Sequence, residues 1–478
     1  MARPGRTLLA AAVPLAALAA LGGAYSSSVL PLLVAAGAAF ILAVSPAAAS
    51  GYRIQDGALI AFLLGLGLQI APMPAWIVDA LSPHARSIGA LLSVAPSGAN
   101  ATLSIRPALT RETLLSAATV ILVYWTARGL LAGGGARWLA RTFAVAGLIT
   151  AFVGLAQRAT ASRTLLWIWV PEDPGGRPMG PFVNRNHFAM WLVMAGALAV
   201  GALATHLAHR APAIASGTRL RLVGWAQDGT TQWLGGATAL MWLTVFASGS
   251  RGAMVALAVF GAVWLMLASR QGHSLRKTAL AAAALTLVAV IGVSANLDMI
   301  VSRFDGGPGI PRSTVWKDTL PVASDFAVAG TGGGTYANAM LLYQRNARVF
   351  LFNEAQNEYL QVITEGGVLL TLPLLLWFGA WITTSARRLR DDGSSIVWLR
   401  VAALAGLSAV AVQCIWDSAL RMPANAMLAA LLAAVAVHVR PATAPAAGVP
   451  DREGRRRAHV ASRDSWSVDS RAGTGRES

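Results

Sequence analysis

The sequence predicts an all-α polytopic membrane protein of about twelve transmembrane helices with one large polar loop. Three observations carry that expectation. Of 478 residues, 55% are hydrophobic and only 12% charged, whereas roughly a quarter are charged in soluble domains. The apolar residues fall into runs of about 20, the length of a helix that crosses the hydrocarbon core. Arginine recurs in alternate short loops between those runs, the asymmetry that orients a membrane protein.

Taken in order, the runs lie at 7–23, 29–49, 57–80, 113–133, 141–159, 188–208, 233–249, 252–269, 278–295, 366–384, 396–416 and 422–438. With a cytoplasmic amino terminus, Arg53, then Arg128, Arg137 and Arg141, then Arg210, Arg219 and Arg221, then Arg270, Arg276 and Lys277, then Arg387, Arg388 and Arg390 all face the cytoplasm. Residues 1–439 form the expected transmembrane domain. Residues 440–478 contain Arg455, Arg456 and Arg457 among many Ser, Gly, Pro and Ala; they lack apolar periodicity and read as a disordered basic cytoplasmic tail. Arg3 and Arg6 ahead of an Ala/Leu run also fit the front of a signal peptide, but no small-x-small cleavage site precedes the second run, so the first helix is expected to be retained. The formal charge of +17 is spread over loops and tail rather than gathered on one face, which accounts for membrane orientation and not for nucleic-acid binding. The lone Cys414 has no intrachain partner and reads as a small buried hydrophobe.

This topology leaves 81–112, 160–187, the turn Gly249-Ser250-Arg251 and 296–365 on the outer side. The first, with Pro83, Pro96 and Pro107, reads as a structured loop or a short interfacial helix. In the second, turn-forming residues 171–181 deliver Phe182 to Phe188 to the mouth of a membrane helix, so that Asn184, Arg185, Asn186 and His187 meet at an interface; capping and lipid-phosphate contact are the competing explanation. Arg251 joins two apolar runs with no room for a loop, on the side where arginine is unexpected. It either snorkels to headgroups or faces a polar cavity, as charges at membrane depth commonly do.

The long loop holds Arg303, Arg312, Trp316, a glycine cluster from Gly330 to Gly334, Arg345 and Arg348. Such a cluster can present backbone N–H groups to an anion, and arginines recognise phosphate bidentately. Glu354, Glu358, Gln361 and Glu365 fall at helical spacing, so a helix entering the membrane would carry all four on one face. Carboxylates there could act as general bases or orient an acceptor hydroxyl; a solvated helix face is the alternative. With no HxxxH or HxH pair, no cysteine pair, no phosphate-binding loop and no dinucleotide fingerprint, neither a metal site, a cofactor nor an ATP-driven pump is expected.

The run GPFVNRNHFA at 180–189 opens a helix, Ser250-Arg251-Gly252 separates two helices, and Arg312 with Trp316 comes early in the long loop. Gly332-Gly333-Gly334 follows, then EAQNEYLQ at 354–361 before Glu365-Gly366-Gly367. In this order the features resemble the O-antigen ligase and polymerase superfamily over roughly 180–370. The resemblance implies a metal-independent, all-helical C-type glycosyltransferase of the bacterial inner membrane, working at the periplasmic face on undecaprenyl-diphosphate-linked glycan. Polymerases of this kind extend the glycan, in lipopolysaccharide, capsule or exopolysaccharide synthesis; ligases pass it to lipid A-core.

Carried over residue by residue, the resemblance makes Arg185, Arg251 and Arg312 the diphosphate-binding candidates and places acceptor activation beside Asn357. Ligases usually have histidine where this chain has Gln356. Glutamine takes no proton at physiological pH, so either the base is another residue, with Glu354, Glu358 and His187 as candidates, or Gln356 and Asn357 only orient the acceptor, or the chain is inactive. The substitution makes a polymerase or an exopolysaccharide or capsule relative more attractive than a ligase. A lipid-linked oligosaccharide flippase or another secondary transporter is the competing class. A transporter would place charges along its helices near the midplane, whereas here the candidate residues gather at one face.

Overall fold

A computed structural model of the chain describes residues 4–43, 51–92, 100–160, 164–171, 177–210, 227–271, 312–346 and 351–439. The apolar runs become helices: α1 (Pro4–Ala19), α2 (Val29–Ala43), α3 (Arg53–Ile70), α6 (Pro107–Ala132), α7 (Ala136–Ala159), α8 (Arg185–Arg210), α9 (Gly229–Ser248), α10 (Arg251–Arg270), α13 (Glu358–Asp391), α14 (Val397–Gln413) and α15 (Pro423–Val437). Among the described residues, α3, α6, α7, α8, α10 and α13 are long and apolar enough to cross a membrane, and α1, α2, α14 and α15 contribute shorter apolar stretches. The run at 278–295, Arg303, Arg348 and the tail from 440 lie outside the described residues.

At the centre stands α8, buried along most of its length and packed against α7, α9, α10, α14 and α15. Around it, α6 packs on α2 and α15, and α13 packs on α3. Because lipid tails are as apolar as leucine, such packing rests on close van der Waals fit rather than on the hydrophobic effect. Phe143, Phe188 and Trp191 fill the interior without solvent contact.

Polar clusters fix the ends of the helices away from Arg185. Arg128 on α6 forks onto both oxygens of Asp56 on α3 at 2.8 Å and lies over the Tyr52 ring. Arg400 on α14 bonds Asp392 and takes up the carbonyls of Ala436 and His438 at the end of α15, satisfying acceptors that a helix terminus leaves open.

Two boundaries differ from the sequence expectation. The run 57–80 breaks at Ile70, because Pro72 and Pro74 have no N–H to continue a helix. Met73–Pro74 instead pairs antiparallel with Asn100–Ala101, and between the two strands lie α4 (Ala75–Leu81) and α5 (Ala85–Leu92). In the long loop, α11 (Arg312–Asp325) and α12 (Tyr336–Tyr343) precede α13, which starts at Glu358 and not at 366. Asn357 sets that start, its Oδ1 accepting from Leu360 N at 3.0 Å. Glu354 therefore does not share a helix with Glu358, Gln361 and Glu365; it approaches them from irregular chain.

Helix α13 is broken at Gly367, which has φ 54° and ψ −157°. The long loop closes over the break. Thr331 and Gly332 donate to the carbonyls of Thr364 and Glu365, each at 3.0 Å, while Val368 and Leu369 donate to those of Ala327 and Val328 at 2.8 and 3.0 Å. Groups freed by the kink thus find partners within the protein, as buried backbone groups require. Gly330, with φ +70°, makes the approach possible, since a Cβ there would collide with the Glu365 carbonyl.

Candidate active site

Three helix starts and one turn converge where α8, α10 and α11 begin and α14 gives way to α15. Arg185 and Asn186 come from α8, Gly249, Ser250, Arg251 and Gly252 from the α9–α10 turn, Arg312 from α11, and Trp416 and Asp417 from the turn after α14. Together they line a cavity of ≈ 100 Å³. The turn works locally: Gly249 ends α9 in the left-handed region with φ 65°, and Ser250 caps α10 by accepting from Ala253 N. Arg251 thereby starts a helix whose amino-terminal dipole adds to the positive field. The three arginines proposed from sequence meet in one place.

Burial holds the Arg312 guanidinium below its usual pKa; Arg251 pushes the same way and Asp417 opposes. Its Nε has no hydrogen-bond partner among the described residues. One helical turn on, Trp316 donates its indole N–H to the Ala355 carbonyl at 3.0 Å, and Gln361 accepts from Ala355 N. The residue pair Arg312 and Trp316 therefore ties the cavity to the segment carrying Glu354 and Gln356.

Beside the cavity lies a polar cluster. His187, buried in α8, has Nε2 3.6 Å from Asp417 Oδ1, an ion-pair distance too long for a hydrogen bond. Burial alone would raise the Asp417 pKa, but the His187 ring, the Gln413 amide and the Ser418 N–H outweigh it and leave this carboxyl below the usual range. Glu354 lies within electrostatic reach of His187, Arg421, Asp417 and Glu365, and burial pushes its carboxyl upward. Glu358 Oε1 is 3.6 Å from Arg421, and its Oε2 has no hydrogen-bond partner among the described residues. The Glu358 N–H bonds the Cys414 carbonyl, joining this cluster to the turn that carries Asp417.

The glycine cluster does not form an open anion nest. Gly334 N and Tyr336 N donate to the two oxygens of Glu365, and Gly333 N donates to Gln69. The nest is filled by a carboxylate of the chain itself, which Arg421 also holds at 2.8 Å. Asn357 uses its side-chain oxygen as a helix cap, so that oxygen is committed to the fold. Gln356 is partly buried, with φ 53°, a conformation costing about 1–3 kcal/mol outside glycine and concentrated at functional sites.

Residues 236–375 match the family model described as O-antigen ligase. That stretch is similar to the O-antigen ligase family. The O-antigen ligase match takes in Arg251, Arg312, Glu354, Gln356 and Glu358, while Arg185, His187, Asp417 and Arg421 lie outside it. No curated protein matches the chain.

Sequence reasoning missed Asp417 and Arg421. The available signal was an aspartate and an arginine in the short gap between two apolar runs, where charges are costly and call for a partner. Arg421→Ala leaves Glu365 with its two backbone donors and the Gln361 amide and removes the cation beside Glu358. Loss of the Arg421 bond to Glu365 is expected to destabilise the protein by about 1.5–3 kcal/mol, the usual value of a hydrogen bond to a charged group; thermal unfolding of the detergent-purified variant, followed by loss of monomer on size exclusion, measures it.

Proposed function

We propose that this protein is a glycosyltransferase that transfers or polymerises glycan from an undecaprenyl-diphosphate donor at the periplasmic face of the inner membrane. The observation that carries the reading is the convergence of Arg185, Arg251 and Arg312 on one cavity within reach of partly buried carboxylates.

In the transfer, an acceptor hydroxyl oxygen bonds to the anomeric carbon as the bond from that carbon to the lipid diphosphate breaks. The leaving oxygen keeps the electron pair, and the hydroxyl proton passes to a base. Negative charge grows on the diphosphate, where guanidiniums at low dielectric stabilise it without reorganising. Glu354 and Glu358 are the base candidates. The cavity's composition favours a diphosphate donor, because three cations face a single carboxylate there.

Deletion of the gene followed by gel analysis of surface and secreted glycans tests the function. Loss of a polymerase is expected to leave single-repeat products, loss of a ligase long chains on the lipid carrier, and loss of an exopolysaccharide enzyme an unchanged lipopolysaccharide with the secreted polymer missing. Unchanged glycans of every kind would overturn the proposal.

A further inference from the structure

Trp416 lines the cationic cavity, yet its indole Nε1 is buried with no hydrogen-bond partner among the described residues. Trp191 and Trp242 also bury an unpaired N–H, but they do so inside the apolar core. Trp416 instead contributes to the wall of a polar cavity, with the edge of its indole against the first turn of α10. A Cβ on Gly252 would collide with this very nitrogen and would stand 3.0 Å from its neighbour Cδ1. Gly252 therefore leaves the space that the indole edge occupies beside the cavity, which gives a physical reason for glycine after Ser250-Arg251.

A buried donor without an acceptor is costly, and native structures rarely keep one idle. Tryptophan can only donate. The lone carboxylate on the cavity wall, Asp417, is engaged by Gln413 and Ser418 and lies beside His187. The remaining charged wall is guanidinium, so the acceptor that completes the site is an oxygen of an anionic ligand. We propose that the Trp416 indole N–H donates a hydrogen bond to a phosphoryl oxygen of the diphosphate bound by Arg185, Arg251 and Arg312, which makes Trp416 a donor-binding residue. This rests on the diphosphate reading above. The indole supplies direction without charge, so its loss weakens binding without altering the salt dependence, whereas loss of an arginine changes both.

The test is calorimetric titration of the purified full chain in nanodiscs with farnesyl diphosphate, at several salt concentrations, with inorganic pyrophosphate and farnesol as parallel probes. Wild type is expected to bind farnesyl diphosphate more tightly than pyrophosphate and to ignore farnesol. Trp416→Phe, which keeps a ring and removes the N–H, is expected to weaken farnesyl diphosphate binding by roughly 10- to 100-fold, the value of a hydrogen bond to a charged group, with an unchanged salt slope. Gly252→Ala, which retains Trp416 but displaces its indole, is expected to weaken binding in the same way and serves if Trp416→Phe does not fold. Undiminished binding in either folded variant would overturn the indole's role while leaving the arginine site standing. Failure of wild type to bind any diphosphate would overturn the diphosphate reading and the indole's role with it.

Discussion

Arg312→Ala is expected to lower glycan transfer by about 10³- to 10⁵-fold, by analogy with a guanidinium that stabilises transition-state charge in phosphoryl transfer, while membrane abundance stays near that of wild type. Arg312 lies close enough to Arg251 and Asp417 for each to influence its ionisation, and its Nε has no hydrogen-bond partner among the described residues. Removing it takes away a cation that the fold uses little. Arg251→Ala is expected to lower transfer likewise, because Arg251 lines the same cavity. Lysine at either position should restore activity only in part, because a point charge does not reproduce a planar fork on two phosphate oxygens. Transfer measured from lipid-linked donor at equal protein level decides the matter, and full activity in both alanine variants would remove the diphosphate role.

Glu354→Gln or Glu358→Gln is expected to cost about 10²- to 10⁴-fold in transfer, the usual consequence of losing a general base. Gln356→Ala should cost much less, because its amide takes no proton. The pH profile separates the two glutamates. A base works only when ionised, so activity falls as pH drops through its pKa. Burial raises the pKa of Glu354, so an acid limb that belongs to Glu354 lies above the ordinary carboxylate range and vanishes in Glu354→Gln. Retained activity in both Glu→Gln variants, with loss in Gln356→Ala, would instead assign the acceptor to amide orientation alone.

The helices could be read from the sequence because each apolar run is a local property of length and composition. Most of the runs appear as helices with ends moved by a few residues, and the moves have local causes: Pro72 and Pro74 stop α3 early, and Asn357 starts α13 early. Arg251 was legible for a different reason, since an arginine in a turn between two apolar runs is out of place unless something anionic lies nearby; Arg185 and Arg312 joined it through the family resemblance. What could not be read was long-range pairing. The glycine cluster looked like a phosphate nest, and only the fold reveals that Glu365, 31 residues beyond Gly334, already fills it. Asp417 and Arg421 carried no motif, and their partners on α8 and α13 lie far away in the chain.

The seam between the long loop and the broken helix α13 bears on how substrates come and go. Four backbone hydrogen bonds and the Glu365 carboxylate lace residues 327–336 to the kink, and lifting this stretch would strand their donors and acceptors where water is scarce. The stretch is therefore a lintel and not a flap. Donor and acceptor are expected to reach the arginine cavity sideways, between helices, with the polyprenyl chain remaining in lipid throughout. A disulfide engineered from residue 331 to residue 364, which fastens the lintel covalently, should leave turnover unchanged.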